Sequence, residues 1–248
     1  MPFTFAHPAL VMPLAGLSHR YRSVTGLVMG SMVPDFEYFI RMKIHSSSSH
    51  TFLGVFEFDL PLGLLLTFLY HYAVRDPLLY HMPIFFKARF ASFRNFSWFE
   101  YFIQHWGVVI LSLLVGIASH LLWDSFTHRL GFFVQHFPVF KNGIDLLGIT
   151  FPVYRVVQHV STFVGFAVLI LIIMRLKPDP EVMGHFYYFY WGGILACTLS
   201  LLGVWFLNRD GWRLVDLIVS SISFFLLSLI FVPWMGRIYK GVLHLFAK

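Results

Sequence analysis

Three polar residues close an apolar run at a spacing that chemistry can use. His120, Asp124 and His128 stand four residues apart in "HLLWDSFTH", directly after "WGVVILSLLVGIAS". That interval stacks side chains on one face of a helix. Two imidazoles and a carboxylate therefore share a face at the end of a stretch with the make-up of a membrane span. Neutral imidazole and carboxylate are the ligands of zinc and similar divalent ions, and a His-x-x-x-Asp pair can grip one ion from adjacent turns. Such a pair is common by chance, and a single histidine at a membrane edge more often caps a helix or hydrogen-bonds inside a bundle. Ionisable groups in a bilayer are expensive, however, and mark functional sites. The lone Cys197 excludes an internal disulfide and a cysteine-based zinc site. Any ion must be held by histidine and carboxylate.

The composition sets the medium in which these residues work. The 248-residue chain is 58% hydrophobic and 12% charged, whereas soluble domains carry about 25% charged residues. This describes an all-α integral membrane protein. Crossing hydrocarbon takes about 20 residues, and five segments meet that length or come close to it: 52–74, 102–124, 160–176, 186–207 and 214–235. A sixth, 24–42, is interrupted by Pro34 and two acids and reads as a broken or half-inserted helix. Its Gly26 and Gly30 form a small-residue face suited to tight helix packing. Residues 1–23 lack a basic stretch ahead of their apolar part, so they are expected to belong to the folded chain and not to a secretory leader. Residues 75–101 mix arginine with aromatics, as an interfacial segment does, and 129–158 read as a loop. No repeat or composition shift interrupts the chain, which is expected to be one polytopic domain over 1–248. The net charge of +6 suits anionic headgroups, with no nucleic-acid partner, because no basic run interleaves with an aromatic platform.

Threading the spans gathers the polar residues. His7, Asp35, His45 and His50 precede the first span, His120, Asp124 and His128 close the second, and His159 opens the third. Segments 1–51, 118–130 and 155–162 are thus expected on one face of the membrane. His71, His81, His105, His185 and His244 fall on or near the other face. His105 is about 22 Å from His120 at 1.5 Å per helical residue, too far to share its site. Lys and Arg outside the spans divide evenly between the sides, so the positive-inside rule assigns no orientation.

Each candidate also has a plainer explanation. His7 in "FTFAHPAL" can be a surface histidine before a helix-starting proline. Asp35 in "GSMVPDFEYF" can be a first-turn acid favoured by the helix dipole. Glu37 faces away on a helix, and the placement of His19 and His45 is left open. In "HSSSSHTFLG" the serines can cap the first span. Helix N-termini at His50 and His159 would attract an anion. Arg129 and Arg155 are candidate phosphate clamps, although basic residues at a membrane edge also anchor headgroups.

The segments "MPFTFAHPAL", "GSMVPDFEYF", "SHTFLG" with "DLPLGLL", and "HLLWDSFTH" resemble an uncharacterised bacterial membrane family, the domain of unknown function numbered 4184. The order His, Pro-Asp, Ser-His-Thr, His-x-x-x-Asp, Thr-His is more distantly similar to YdjM-type inner-membrane proteins, labelled metal-dependent hydrolases. It is also similar to zinc-dependent phospholipase C and the related single-strand nucleases. This resemblance implies Asp35, His50, His120 and Asp124 as ligands, with His7 and His128 beside them, and a place in the bacterial cytoplasmic membrane. The soluble enzymes carry a second His-x-x-x-acid pair, whereas the residue four after His159 is not an acid, which leaves one metal position open.

The expected protein is a membrane-embedded metal-dependent hydrolase acting on a phosphoester of a lipid or lipid-linked substrate. Zinc, or else manganese, would be held by His7, Asp35, His50, His120, Asp124, His128 and His159. Asp35 or Asp124 would orient the attacking water, and Arg129 and Arg155 would bind phosphate. The alternative is a non-catalytic protein that uses the ion for structure, sensing or transport. Haem held between His71 and His105 is a third, weaker expectation.

Overall fold

The computed structural model describes residues 3–94, 96–146, 148–182 and 187–246, with side chains as far as Gly236 except that of Leu146. The expected His185 lies outside the described residues, as does the side chain of His244. The helices in chain order are α1 Pro8–Val11, α2 Val24–Met32, α3 Phe36–Arg41, α4 Phe52–Gly54, α5 Leu60–Leu69 and α6 Arg75–His81. They continue as α7 Ile84–Arg89, α8 Trp98–Thr127, α9 Phe132–His136, α10 Val153–Arg175, α11 Tyr188–Leu207 and α12 Leu214–Phe246. A two-stranded antiparallel hairpin pairs β1 Gly143–Leu146 with β2 Ile149–Pro152.

Five segments among the described residues are long and apolar enough to cross a membrane: Phe52–His81, Trp98–His136, Val153–Arg175, Tyr188–Leu207 and Leu214–Gly236. The protein is an all-α membrane protein. The first segment runs from α4 to α6 through two π-helical turns, Val55–Asp59 and Tyr70–Val74. Phe163, Ile170, Leu171 and Met174 of α10 are exposed, and a helix that is apolar on its exposed face needs lipid against it. The expected broken helix is present: α2 ends in a 3-10 turn, Val33–Asp35, before α3 begins. Pro34 has no N–H to continue the α-helical ladder.

Two boundaries differ from expectation. α10 begins at Val153, directly after Pro152, so His159 sits well inside the helix and not at its N-terminus. The loop of 129–158 contains α9, a 3-10 turn at Pro138–Lys141 and the hairpin. Periodicity marks apolar stretches, but here the amphipathic first turns of α10 lie outside the apolar window.

The chain divides into two compact units. The first comprises 1–36, 47–67 and 99–175. Its core forms where α2 meets α8, around Leu27, Val33, Val109, Leu113 and Ile117, and the Ser23 amide donates to Ser112 Oγ at 2.8 Å. The second comprises 37–46, 68–98 and 176–248. There α11 packs on α12 through Tyr190, Ile194 and Leu229, with Thr198 Oγ1 donating to Ser228 Oγ at 3.1 Å. Arg75 in this unit is buried and donates to the Phe96 carbonyl at 2.6 Å.

Counting crossings gives a topology. Residues before Phe52 and residues 128–152 are expected to share a side, because the chain crosses once and returns. In a Cys197→Ser background, single cysteines at His50 and His128 are expected to react with an impermeant thiol reagent from one side. Those at Arg94 and Glu181 should react from the other. Labelling of position 50 from the same side as position 94 would break the count.

Candidate metal centre

Four stretches of the first unit build the centre, and a close helix contact places its middle. A Cβ on Gly116 would lie 2.5 Å from the Leu27 carbonyl oxygen and 2.7 Å from the Ser31 amide nitrogen. A Cβ on Gly30 would overlap the Leu113 carbonyl. Only glycine at these positions lets the backbones of α2 and α8 touch. The contact brings the Ser31 carbonyl to 2.8 Å from His120 Nδ1. A carbonyl only accepts, so Nδ1 carries a proton and Nε2 is the nitrogen left to ligate an ion, the usual arrangement for a ligating histidine. That Nε2 stands 3.6 Å from Asp35 Oδ1 and 3.3 Å from Asp124 Oδ2.

Asp35 closes the 3-10 turn and is fully buried. Thr4 Oγ1 donates to its Oδ2 at 2.6 Å, which turns Oδ1 toward the histidines. His50 arrives from the loop before α4 with a left-handed backbone, φ +67°, a conformation that costs on the order of 1–3 kcal/mol away from glycine. The loop holds it there: Thr51 Oγ1 donates to the Ser48 carbonyl at 2.8 Å and accepts from the Gly54 amide at 2.9 Å. A Cβ at Gly54 would overlap that same Ser48 carbonyl, which gives the glycine of "SHTFLG" its reason. Ser49 Oγ bonds His50 Nδ1 at 2.9 Å, leaving His50 Nε2 at 3.4 Å from Asp124 Oδ2 and 3.8 Å from Asp35 Oδ1.

His7 and His128 complete the cluster around Asp124. His7 is buried, its ring stacked on that of His120 with centroids 3.9 Å apart, and its Nε2 lies 3.7 Å from Asp124 Oδ1. His128 Nδ1 lies 3.3 Å from the same oxygen. His7 Nδ1 and Nε2, Asp35 Oδ1, His120 Nε2, both Asp124 carboxylate oxygens and His128 Nε2 are buried with no hydrogen bond among the described residues. Each such atom costs about 1–3 kcal/mol, and native folds leave few of them. Gathered in one place, they are what a cation would satisfy. Ligand atoms of Asp35, His50, His120 and Asp124 all lie within 4.8 Å of one another, so this group can hold a metal ion. Burial holds the His7 imidazole neutral by lowering its pKa to about 2. Burial also pushes the Asp35 carboxyl up, a cost that a bound cation would offset.

The other candidates fall elsewhere. His159 is exposed and pairs with neither aspartate among the described residues. α10 contributes Ser161 and Thr162 instead, which accept from Trp123 Nε1 at 3.2 Å and from the Phe3 amide at 3.1 Å. Arg129 and Arg155 are both exposed. Arg129 lines a cavity of about 350 Å³ with Gln135, Lys141, Pro152 and Tyr154, whereas Arg155 is not among its lining residues. Glu37 belongs to the second unit, where it pairs with Arg41 at 2.8 Å; His45 is in that unit too, and His19 is exposed next to His105. His71 stacks on Trp98 and His105 on Tyr101, so each is engaged in packing of its own. Thr4, Ser31 and Ser49 orient the ligands and were not among the expected residues. Only Ser49, adjacent to His50, had a local signal.

The glycine contact gives a direct test of this assembly. Overpacking a tight seam costs about 1–3 kcal/mol, so Gly116→Ala is expected to lower the melting temperature in detergent. It should also weaken metal binding, because it moves Ser31 away from His120. Unchanged melting and metal content would remove the seam from the account.

No curated protein and no solved structure matches the chain. A family model described as Domain of unknown function (DUF4184) matches residues 1–234, which contain every residue of the centre, and the chain belongs to that family.

Proposed function

We propose that the protein is a membrane-embedded, metal-dependent hydrolase that cleaves a phosphoester of a lipid or lipid-linked substrate in the bacterial cytoplasmic membrane. One observation carries the reading: buried carboxylate and imidazole atoms converge without hydrogen-bond partners near the end of a membrane-crossing helix. A purely structural ion would suit the burial of His7, Asp35 and His120. The cluster is nevertheless open on one edge, where the side chains of His50 and His128 are 22% and 29% exposed. A substrate whose tail stays in the bilayer would approach there.

The roles follow from position. Asp35, His50, His120 and Asp124 hold the ion, which is zinc or manganese by the chemistry of a nitrogen and oxygen donor set. When bound, such an ion polarises a phosphoryl oxygen and lowers the pKa of water from 15.7 toward about 7. Of the two aspartates, Asp124 is the one that orients the attacking water, since its side chain is 8% exposed and that of Asp35 is 0%. Arg129 follows His128 in the chain and shares its cavity with Lys141, which supplies positive charge for a phosphate. Transport is less well supported, because a path needs polar groups at intermediate depth and α11 carries no charged residue. Protein purified in detergent without chelator is expected to hydrolyse phospholipids or polyprenyl phosphates. It should lose that activity on chelation and regain it with zinc or manganese. No hydrolysis across these substrates would overturn the hydrolase reading.

A further inference from the structure

Residues 82–97 connect two membrane-crossing segments, Phe52–His81 and Trp98–His136, so this stretch runs along the membrane surface. It lies within the second unit. No acid occurs between Asp76 and Glu100, whereas Lys87, Arg89 and Arg94 all fall in that interval. Phe85, Phe86, Phe93 and Phe96 of the same stretch are exposed. Apolar rings beside cations suit the boundary between acyl chains and headgroups.

The cations of this region are of two kinds. Arg75 is satisfied within the protein, since besides the Phe96 carbonyl it meets Asp76 Oδ1 at 2.6 Å and His71 Nδ1 at 3.1 Å. Lys87 is buried, with Nζ 4.7 Å from the centroid of the Tyr80 ring and 5.7 Å from that of Tyr187, a cation–π arrangement. Arg89 and Arg94 have no comparable provision. Arg89 lies over the exposed Phe85 ring at 3.8 Å and its Nη1 donates to the Phe85 carbonyl at 3.1 Å. Its Nε is buried without a hydrogen bond, as is Arg94 Nη2. Both residues are half-buried, and neither pairs with an acid among the described residues. The Asp179 amide donates to the Ala88 carbonyl at 3.0 Å, but the Asp179 carboxylate accepts from the Glu181 amide. A guanidinium carries five N–H donors, and burying a charge without a partner is costly.

The fold keeps the two arginines on one short piece. α7 ends at Arg89, a 3-10 turn at Ala91–Phe93 follows, and the Arg94 amide donates to the Ala91 carbonyl at 3.1 Å. Arg75 donates to the Arg94 carbonyl at 3.4 Å, which ties the end of the piece to α6.

We propose that Arg89 and Arg94, with the exposed phenylalanines around them, form a docking surface for an anionic phospholipid. A lipid phosphate accepts paired N–H donation from a guanidinium, and the acyl chains lie against the rings. Those rings favour a lipid over a free anion, which has nothing to set against them. The surface shares no residue with the metal centre.

Native mass spectrometry of the full-length protein in detergent tests this, with phosphatidylglycerol and phosphatidylcholine as probes. Wild type is expected to bind phosphatidylglycerol more tightly. A basic side chain near an anionic surface strengthens lipid attraction about fivefold, so Arg89→Gln and Arg94→Gln should each weaken phosphatidylglycerol binding by about that factor. Melting temperatures should stay near that of wild type. Equal affinity of wild type for the two lipids would overturn the proposal, and so would an unchanged preference in both variants. An equal loss in Arg209→Gln, on the loop between α11 and α12, would show a diffuse effect of charge and overturn the assignment to this segment. Displacement of the lipid by an equal concentration of inorganic phosphate would show a site for a free anion instead. Should one variant fail to fold, the other and the wild-type preference still decide.

Discussion

Asp124→Ala is expected to leave the purified protein with only background metal. Asp124 is the acid faced by all four of His7, His50, His120 and His128, at 3.3–3.7 Å. Without it, Asp35 is the remaining carboxylate, and it pairs with His50 and His120. Losing a partner that merely orients a ligand costs about 10–100-fold in metal affinity. Removing the central ligand should therefore cost more than about 100-fold. Thr4→Val supplies the comparison, because it removes the hydroxyl that holds Asp35 Oδ2 and leaves every ligand in place. Its affinity loss is expected within the ~10–100-fold range. Elemental analysis of both variants against wild type reads the result. Wild-type metal content in Asp124→Ala would show that the cluster is not where the ion binds.

The second large effect separates catalysis from scaffolding. His50→Ala is expected to abolish phosphoester hydrolysis, by at least about 100-fold on the scale that misplacement of a reacting group produces. Its melting temperature in detergent should stay near that of wild type. His50 sits on a loop with its side chain 22% exposed, so its removal deletes a ligand without opening the core. His120→Ala should be equally inactive but also less stable. Its side chain is fully buried, and Nδ1 satisfies the Ser31 carbonyl. Orphaning that acceptor costs about 1–3 kcal/mol. The comparison is informative because the binding free energy of a structural ion is folding free energy, whereas the packing of membrane helices does not depend on an ion. A large loss of stability in His50→Ala, together with an inactive wild type, would favour the non-catalytic scaffold.

Much of the centre is legible in the chain because its signals are local. The interval between His120, Asp124 and His128 is one helical turn, and backbone geometry alone puts such residues on one face. Apolar lengths set the number of crossings, and the crossings put His7, Asp35 and His50 on the side where α8 ends. The same reasoning misplaced His159. It took the edge of the apolar run as the edge of the helix, whereas α10 begins at Val153. Its histidine is exposed, and Ser161 and Thr162 make the useful contacts.

The orienting partners were beyond reach of any pattern. Thr4 meets Asp35 across 31 positions and the Ser31 carbonyl meets His120 across 89, and neither pair has a spacing that marks it. Gly26 and Gly30 announced a tight helix contact, but its partner, Gly116 of α8, is identified only by the clearance between the two backbones. From sequence alone came the medium, the helices and the identity of most ligand residues, because composition and helical period act over a few residues. Tertiary structure alone decided that His7 lies flat on His120, that Asp35 offers Oδ1, and that the two oxygens of Asp124 face different pairs of histidines. Those are matters of a few ångströms between segments far apart in the chain, and the close approach of α2 and α8 sets them.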